Sequence, residues 1–341
     1  MNSRNLVIRT LEHKPVDRVP RDLWYLPGIP MFRKGELDRM LDMYPPDIAV
    51  PDFSYTRTGR ESGTPNVVGN YTDAWGCVWH VGEDGVVGEV KGHPLVDWSS
   101  LSTYRPPYER LSGVDLDEVN RFCAETDRFV VSPCAANPFE RLQFLRGPES
   151  VYTDLACGSR ELRALMDMLH DYYTTELRMW AKTDVDAGMF MDDWGAQSSL
   201  LISPDMWRAI FKPLYSDYCR ILHEKGKWVF FHSDGYITPI IEDLIEIGVD
   251  ALNSQLFCMD IEDIGDRFRG RITFWGEIDR QKVLPFGAVD EVRSAVRRVR
   301  KALDRGRGGV IAQCEWGLGV PFENVAAVFD EWSKPLETDT G

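Results

Sequence analysis

Long apolar runs, basic clusters, paired cysteines and glycine-rich phosphate loops are all missing from this sequence, and each absence removes a class of protein. No stretch of about 18 apolar residues occurs in the 341 residues, so no membrane-spanning helix and no membrane partner are expected. The opening Met1-Asn2-Ser3-Arg4-Asn5 leads into mixed polar sequence. It lacks the apolar stretch of about 7–15 residues that marks an export signal, which makes the cytoplasm the expected location. Lysine and arginine number 39 against 54 aspartates and glutamates, for a net charge of −15 with no basic run. A nucleic-acid partner is therefore not expected. The seven cysteines (77, 123, 134, 157, 219, 258 and 314) are scattered and form no C-x-x-C pair. They point to neither a disulfide framework nor a zinc ribbon, and each reads as a buried thiol unless its neighbourhood argues otherwise.

What is present is the composition of a folded chain with a substantial core, 43% hydrophobic and 27% charged, which excludes general disorder. From about residue 128 short apolar runs alternate with segments of helical spacing. The runs begin at Arg128, Ala187, Lys227, Val249, Arg271 and Gly308 and read as strands buried on both faces. Two earlier runs, Val19–Tyr25 and Asp47–Phe53, bring the count to about eight. Ser203-Pro204 opens a helix expected to run to about Glu224, and Thr238-Pro239 opens another that ends near Gly248. Residues 160–182, 288–304 and 322–333 also carry helical spacing. Alternating strands and helices predict an α/β protein, a (β/α)8 TIM-type barrel. The alternative, an open doubly wound sheet, would need a G-x-G-x-x-G or P-loop after a strand, and none follows. One domain over 1–341 is expected, with a tail over 334–341 and an insertion over 54–127. Within that insertion Trp75–Trp79 and Val86–Val90 flank Glu83-Asp84-Gly85, a hairpin with a tight Asp-Gly turn, predicted to lie over the barrel mouth.

Barrel chemistry stands at the strand carboxyl ends, and those ends are polar: Asp192-Asp193, His232-Ser-Asp234, Asn253-Ser-Gln255, Gly276-Glu277 and Gln313-Cys314-Glu315. Burying such groups is costly without a role. His232 and Asp234, two apart, project to one side of a continuing strand. With Cys314 from the last strand they form a nitrogen, oxygen and sulfur set suited to zinc with one position left open. The other reading makes His232 a hydrogen-bonding residue, Asp234 its partner or a helix cap, and Cys314 a buried thiol. Of Asp192 and Asp193, neighbours on a strand, only one can face the mouth; the other caps a helix or contacts Ser203. Trp24 and Trp75 are candidates to line an apolar pocket, with core packing as the alternative for each.

The ordered set of motifs resembles the uroporphyrinogen decarboxylase superfamily, in particular its corrinoid-dependent methyltransferases. It comprises Arg9-Thr-Leu-Glu-His13-Lys-Pro-Val-Asp17-Arg18-Val-Pro20, Asp73-Ala-Trp-Gly76, Asp193-Trp-Gly195 followed by Ser203-Pro, His232-Ser-Asp-Gly235, Gly248-Val-Asp250 with Asn253, and Gly309 through Pro321-Phe-Glu323-Asn324. The resemblance implies a barrel, and zinc held by a His-x-Cys-Gly motif with a later cysteine about seven residues before a proline. His232 and Cys314 match, and Asp234 stands where the motif has cysteine. By this resemblance the metal ligands are His232, Asp234 and Cys314, with His232, Asp193 and Glu315 catalytic, Glu315 serving as fourth ligand or base. The substrate pocket is assigned to Trp24, Trp75, Asp192, Asn253, Gln255 and Glu277. The implied reaction moves a methyl group between an O-, N- or S-methylated small molecule and the cobalt of a separate corrinoid protein; a homodimer is admitted. Oxygen in place of sulfur at Asp234 favours a methoxylated aromatic over a thiol. Two alternatives remain: a porphyrinogen decarboxylase, which lacks its arginine clamp at Pro20-Arg21-Asp22-Leu23-Trp24, and a non-catalytic small-molecule or corrinoid-binding barrel.

Overall fold

The structure, a computed structural model, describes residues 1–304 and 306–335, so most of the expected 334–341 tail lies outside the described residues. Among the described residues eleven strands run in chain order as β1 Arg21–Tyr25, β2 Ile48–Ala49, β3 Gly69–Thr72, β4 Val78–Val81, β5 Glu89–Gly92, β6 Phe129–Ala136, β7 Ala187–Met191, β8 Trp228–Ser233, β9 Ala251–Ser254, β10 Thr273–Trp275 and β11 Val310–Trp316. Eight of them form a parallel sheet in the order β1-β11-β10-β9-β8-β7-β6-β2. Helices surround it, giving the TIM-type barrel that the alternation predicts. The seam between β1 and β2 is closed at its start by Asp47, whose N–H donates to the Arg21 carbonyl at 2.8 Å. The buried Asp47 carboxylate accepts from the Arg21 N–H at 2.8 Å, from both Nη atoms of Arg18 at 2.6 Å and from the Ser3 hydroxyl at 2.5 Å.

Strand alternation sorts the side chains into two layers. Phe129, Val131, Ala187, Met189, Phe230, Ala251, Trp275 and Ile311 fill the barrel, with Val7 and Leu11 of the helix Ser3–Leu11 packed among them. Val229, Phe231, Leu252, Phe274, Ala312 and Cys314 belong to the larger apolar layer shared with the outer helices. The helix expected from Ser203 to Glu224 is two helices, Pro204–Ile210 and Lys212–His223, broken at Phe211. Pro213 is the reason, because it has no N–H to donate and its ring crowds the carbonyl of the preceding turn. Ser203 caps the first of the pair through Met206 N. The second expected helix begins as a short 3-10 turn at Thr238–Ile240, continues as Ile241–Ile247 and stops at Gly248, whose φ of 96° a residue with a side chain resists. Among the described residues no helix is long and apolar enough to cross a membrane.

The 54–127 excursion carries a three-stranded antiparallel sheet in the order β3-β4-β5. Its hairpin is wider than the tight turn expected, because residues 82–88 connect β4 to β5. Gly85, at φ 83°, lies against Gly28 just beyond the end of β1, and a Cβ on Gly85 would come within 2.6 Å of the Gly28 Cα. The hairpin tip thus reaches the carboxyl ends of the strands.

Candidate metal centre at the strand carboxyl ends

The loops after β7 and β8 are clasped together, and the clasp sets the site. Asp192 N donates to the His232 carbonyl, Trp194 N to Ser233 Oγ, Gly195 N to the Asp234 carbonyl and Tyr236 N to the Ala196 carbonyl, all within 2.8–3.1 Å. Such an approach leaves no room for side chains where the loops cross. A Cβ on Gly195 would collide with Tyr236 N and the Gly235 carbonyl carbon, and one on Gly235 with the backbone of Gly195. The two glycines are therefore required sterically, and Asp193 and Asp234 ride on either side of them.

His232 continues the inward face of β8 above Phe230 and is almost fully buried. Asn253 on β9 fixes its proton. The Asn253 amide donates to the Trp275 carbonyl and, at 3.1 Å, to Gln313 Oε1, so its Oδ1 is the acceptor that faces His232 Nδ1 at 2.6 Å. Nδ1 of the neutral ring accordingly carries the hydrogen, and the lone pair sits on Nε2. Nε2 lies 3.5 Å from Asp193 Oδ1 and 3.4 Å from Asp234 Oδ1. Among the described residues these three offer ligand atoms all within 4.8 Å of one another. Asp193 Oδ1 is steadied by the Asp234 N–H at 2.8 Å, and burial raises the pKa of its carboxyl. Asp234 Oδ1 is buried without a hydrogen-bond partner. An imidazole whose other nitrogen is held by the Asn253 amide, beside two carboxylate oxygens, is a donor set for a divalent metal.

The remaining sequence candidates divide. Trp24 stands on the His232 ring at a centroid distance of 5.2 Å and meets Trp275 edge to face at 4.9 Å, forming an aromatic wall. Both indole N–H groups donate to Asp22 Oδ2, at 3.0 and 2.9 Å. Burial lifts the Asp22 carboxyl to about 6 against those bonds. We predict a change in tryptophan fluorescence with a midpoint near pH 6 that disappears in Asp22→Asn; a wild-type titration flat from pH 5 to 7 would contradict it. Gln255 is committed to the fold, its Oε1 accepting from Gly235 N at 3.1 Å and from the Cys258 thiol at 3.3 Å. Glu277 is buried, and desolvation holds its carboxyl well above the usual range. Glu315 faces the mouth and pairs with Arg280 Nη1 at 2.8 Å.

Three expectations are corrected. Asp192 is not in the pocket: it accepts from Phe139 N and Glu140 N at 2.7 Å and from the Tyr215 hydroxyl at 2.5 Å, capping the helix Pro138–Arg146 from the outer side of β7. Trp75 packs on Tyr172 at 4.6 Å, with the Arg141 guanidinium over its ring, under the excursion. Cys314 is not brought to His232. It pairs in register with Leu23 on β1 and lies in the outer apolar layer with Leu23, Ala312 and Trp316, while Gln313 and Glu315 take the inner face. Burial also raises the pKa of its thiol.

The reading of strand ends missed Arg280, which binds Asp234 Oδ2 and Glu315 together and lies 3.6 Å from Glu277. Its only sequence signal is a basic residue three places after Glu277. It also missed Trp275, whose inward side follows from alternation with Phe274. The two arginines nearest the expected clamp position, Arg18 and Arg21, are at the other end of β1, one on Asp47 and one over the Tyr44 ring.

No curated protein matches the chain by sequence. Among solved structures it is similar to a methyltransferase from Methanosarcina mazei, with a TM-score of 0.72 and 17% identity over 97% of this chain and 98% of that one. A glycosylated endo-beta-1,4-xylanase from Gloeophyllum trabeum gives a TM-score of 0.48 at 10% identity, over 94% of this chain and 98% of that one. The first likeness is one of fold, in agreement with the eight-stranded barrel. The family model for uroporphyrinogen decarboxylase (URO-D) matches residues 72–334, most of the chain and every barrel strand except β1 and β2, and the protein belongs to that family.

Proposed function

We propose that this protein is a methyltransferase that moves a methyl group from a small methylated substrate, a methoxylated aromatic in the favoured case, to the cobalt of a separate corrinoid protein. The observation that carries the reading is the buried His232, its Nδ1 hydrogen taken by Asn253 and its Nε2 facing Asp193 and Asp234. Those residues fit a divalent ion, zinc by family analogy, because the buried and unpartnered Asp234 Oδ1 meets His232 Nε2 and Asp193 Oδ1 at one point. Two carboxylates and one imidazole are a harder set than thiolates, which suits an oxygen-bearing substrate over a thiol. The bound ion would supply Lewis acidity toward that oxygen.

The protein's own groups do the rest. Trp24 and Trp275 offer an aromatic wall on which a flat ring can lie. Glu277, whose burial raises its carboxyl well above the usual range, is placed to exchange a proton near the mouth. The acidic surroundings and the full engagement of Arg280 disfavour a polyanionic porphyrinogen. A protein partner is supported by apolar side chains exposed beside the mouth. Tyr25 and Phe32 are 44% and 57% exposed, and Phe32 and Leu318 adjoin the Gly28 and Gly85 contact. Exposed apolar surface of this kind marks docking sites.

The test is methyl transfer to cob(I)alamin from a panel of O-, N- and S-methyl donors, before and after chelation. Methylcobalamin should form with at least one methoxylated aromatic, stop on chelation and resume when zinc is restored. No transfer from any donor to cob(I)alamin, free or on a corrinoid protein, by zinc-loaded protein would overturn the proposal.

A further inference from the structure

The barrel mouth holds more carboxylate oxygen than a catalytic metal centre needs. A centre that does chemistry keeps one position open, whereas four protein ligands close it. Asp193 and Asp234 each bring an Oδ1 within 3.5 Å of His232 Nε2, Asp234 carries a second oxygen in Oδ2, and Glu315 stands one guanidinium away from Asp234. A free carboxylate beside a divalent cation is drawn onto it by charge and displaces neutral water. Here two of the surplus donors are occupied. Arg280 Nη2 takes Asp234 Oδ2, Nη1 takes Glu315 Oε1 at 2.8 Å, and Nε lies 3.6 Å from Glu277 Oε1. Of the Asp234 carboxylate, Oδ1 alone, buried and unpartnered, is left to face Nε2 of His232 beside Asp193 Oδ1. The guanidinium is planar and its donors are fixed in a fork, so it holds two carboxylates in set positions, as an ammonium cannot.

We infer that Arg280 is a positioning residue that keeps the fourth coordination position of the Asp193, His232 and Asp234 centre open by withholding Asp234 Oδ2 and the Glu315 carboxylate from the metal. The inference rests on the metal reading above, and it has an unusual sign. Loss of Arg280 removes a positive charge and frees two carboxylate donors, so it should tighten metal binding while closing the site to substrate.

The experiment measures zinc affinity by chelator competition and, on the cobalt(II)-substituted protein, the change in visible absorption when imidazole is added as an external ligand. Wild type, R280M, R280K and R280M/E315Q are compared. R280M should bind zinc at least about tenfold more tightly, and its cobalt spectrum should no longer respond to imidazole. The response should return in R280M/E315Q, a rescue that a merely structural role for Arg280 does not give. R280K, which keeps the charge without the fork, should respond weakly and serves as the second variant should R280M fold poorly. Unchanged or weaker zinc binding together with an undiminished imidazole response in R280M, or in R280K should R280M fold poorly, would overturn the inference. Failure of the wild type to bind zinc or cobalt would instead overturn the metal reading on which it rests, so the two failures are told apart by the wild type alone.

Discussion

Gly235→Ala should be among the most damaging single substitutions in the protein, because it drives a methyl group into the clasp that carries both carboxylates of the proposed metal centre. Gly235 has φ 76°, and its Cβ would collide with the backbone of Gly195. Strain in the left-handed region costs about 1–2 kcal/mol, and overpacking a close contact adds about 1–3 kcal/mol. The combined loss of stability should be about 2–5 kcal/mol by urea unfolding. Relief of the collision must also separate Asp193 from Asp234. A displacement near 1 Å at such a centre is enough for roughly a 100-fold loss of activity. Gly195→Ala should act in the same direction through collision alone, since its φ is unexceptional. Gly226→Ala is the control: it shares the positive φ, at 68°, but a Cβ there meets nothing within 4 Å. That variant should lose only the strain term and keep its metal and its activity. Equal losses of stability in Gly235→Ala and Gly226→Ala, with metal content untouched, would mean that the clasp does not set the site.

His232→Ala should abolish metal binding and leave the barrel folded. The ring sits above the apolar filling formed by Phe230, Trp275 and their neighbours, at a strand end where the lattice of backbone bonds to β7 and β9 does not depend on it. Removing it leaves two carboxylates without the nitrogen that orders them. Asn253→Ala should act through His232 without touching the metal: losing the amide frees the ring to take either tautomer and turn away. Outer-shell partners of this type are worth about 10–100-fold in metal affinity, and Asn253→Ala should fall in that range by chelator competition. If Asn253→Ala binds metal like the wild type, the tautomer argument fails.

The barrel and most of the site are legible from local pattern. Eight apolar runs locate all eight barrel strands, five of them with polar carboxyl ends, and the two-residue period puts His232 and Asp234 on one side, where Nε2 and Oδ1 stand 3.4 Å apart. The same period, applied to Asp192 and Asp193, correctly leaves one of them to cap a helix. Cys314 shows the limit of arguing from spacing along the chain. Its distance to Pro321 matches a motif, yet the run Ile311, Gln313, Glu315 shares one parity and Cys314 takes the other with Ala312, so the motif match points to the wrong face of β11. Arg280 was not legible, because its meaning lies in carboxylates from β8 and β11 that only the closed barrel brings to it. Trp75 failed for a related reason: its partners Tyr172 and Arg141 come from helices nearly a hundred or about seventy residues further along the chain. The break at Phe211 was available from Pro213 and needed only the rule that proline interrupts a helix interior.

In the proposed metal centre Asp193, His232 and Asp234 are the ligands, and Cys314 serves as packing. Elemental analysis of purified wild type, Asp193→Ala and Cys314→Ala after reconstitution with zinc tests it most directly. The wild type and Cys314→Ala should each hold one ion per chain tightly, and Asp193→Ala should lose it. Zinc retained by Asp193→Ala and lost by Cys314→Ala would contradict it.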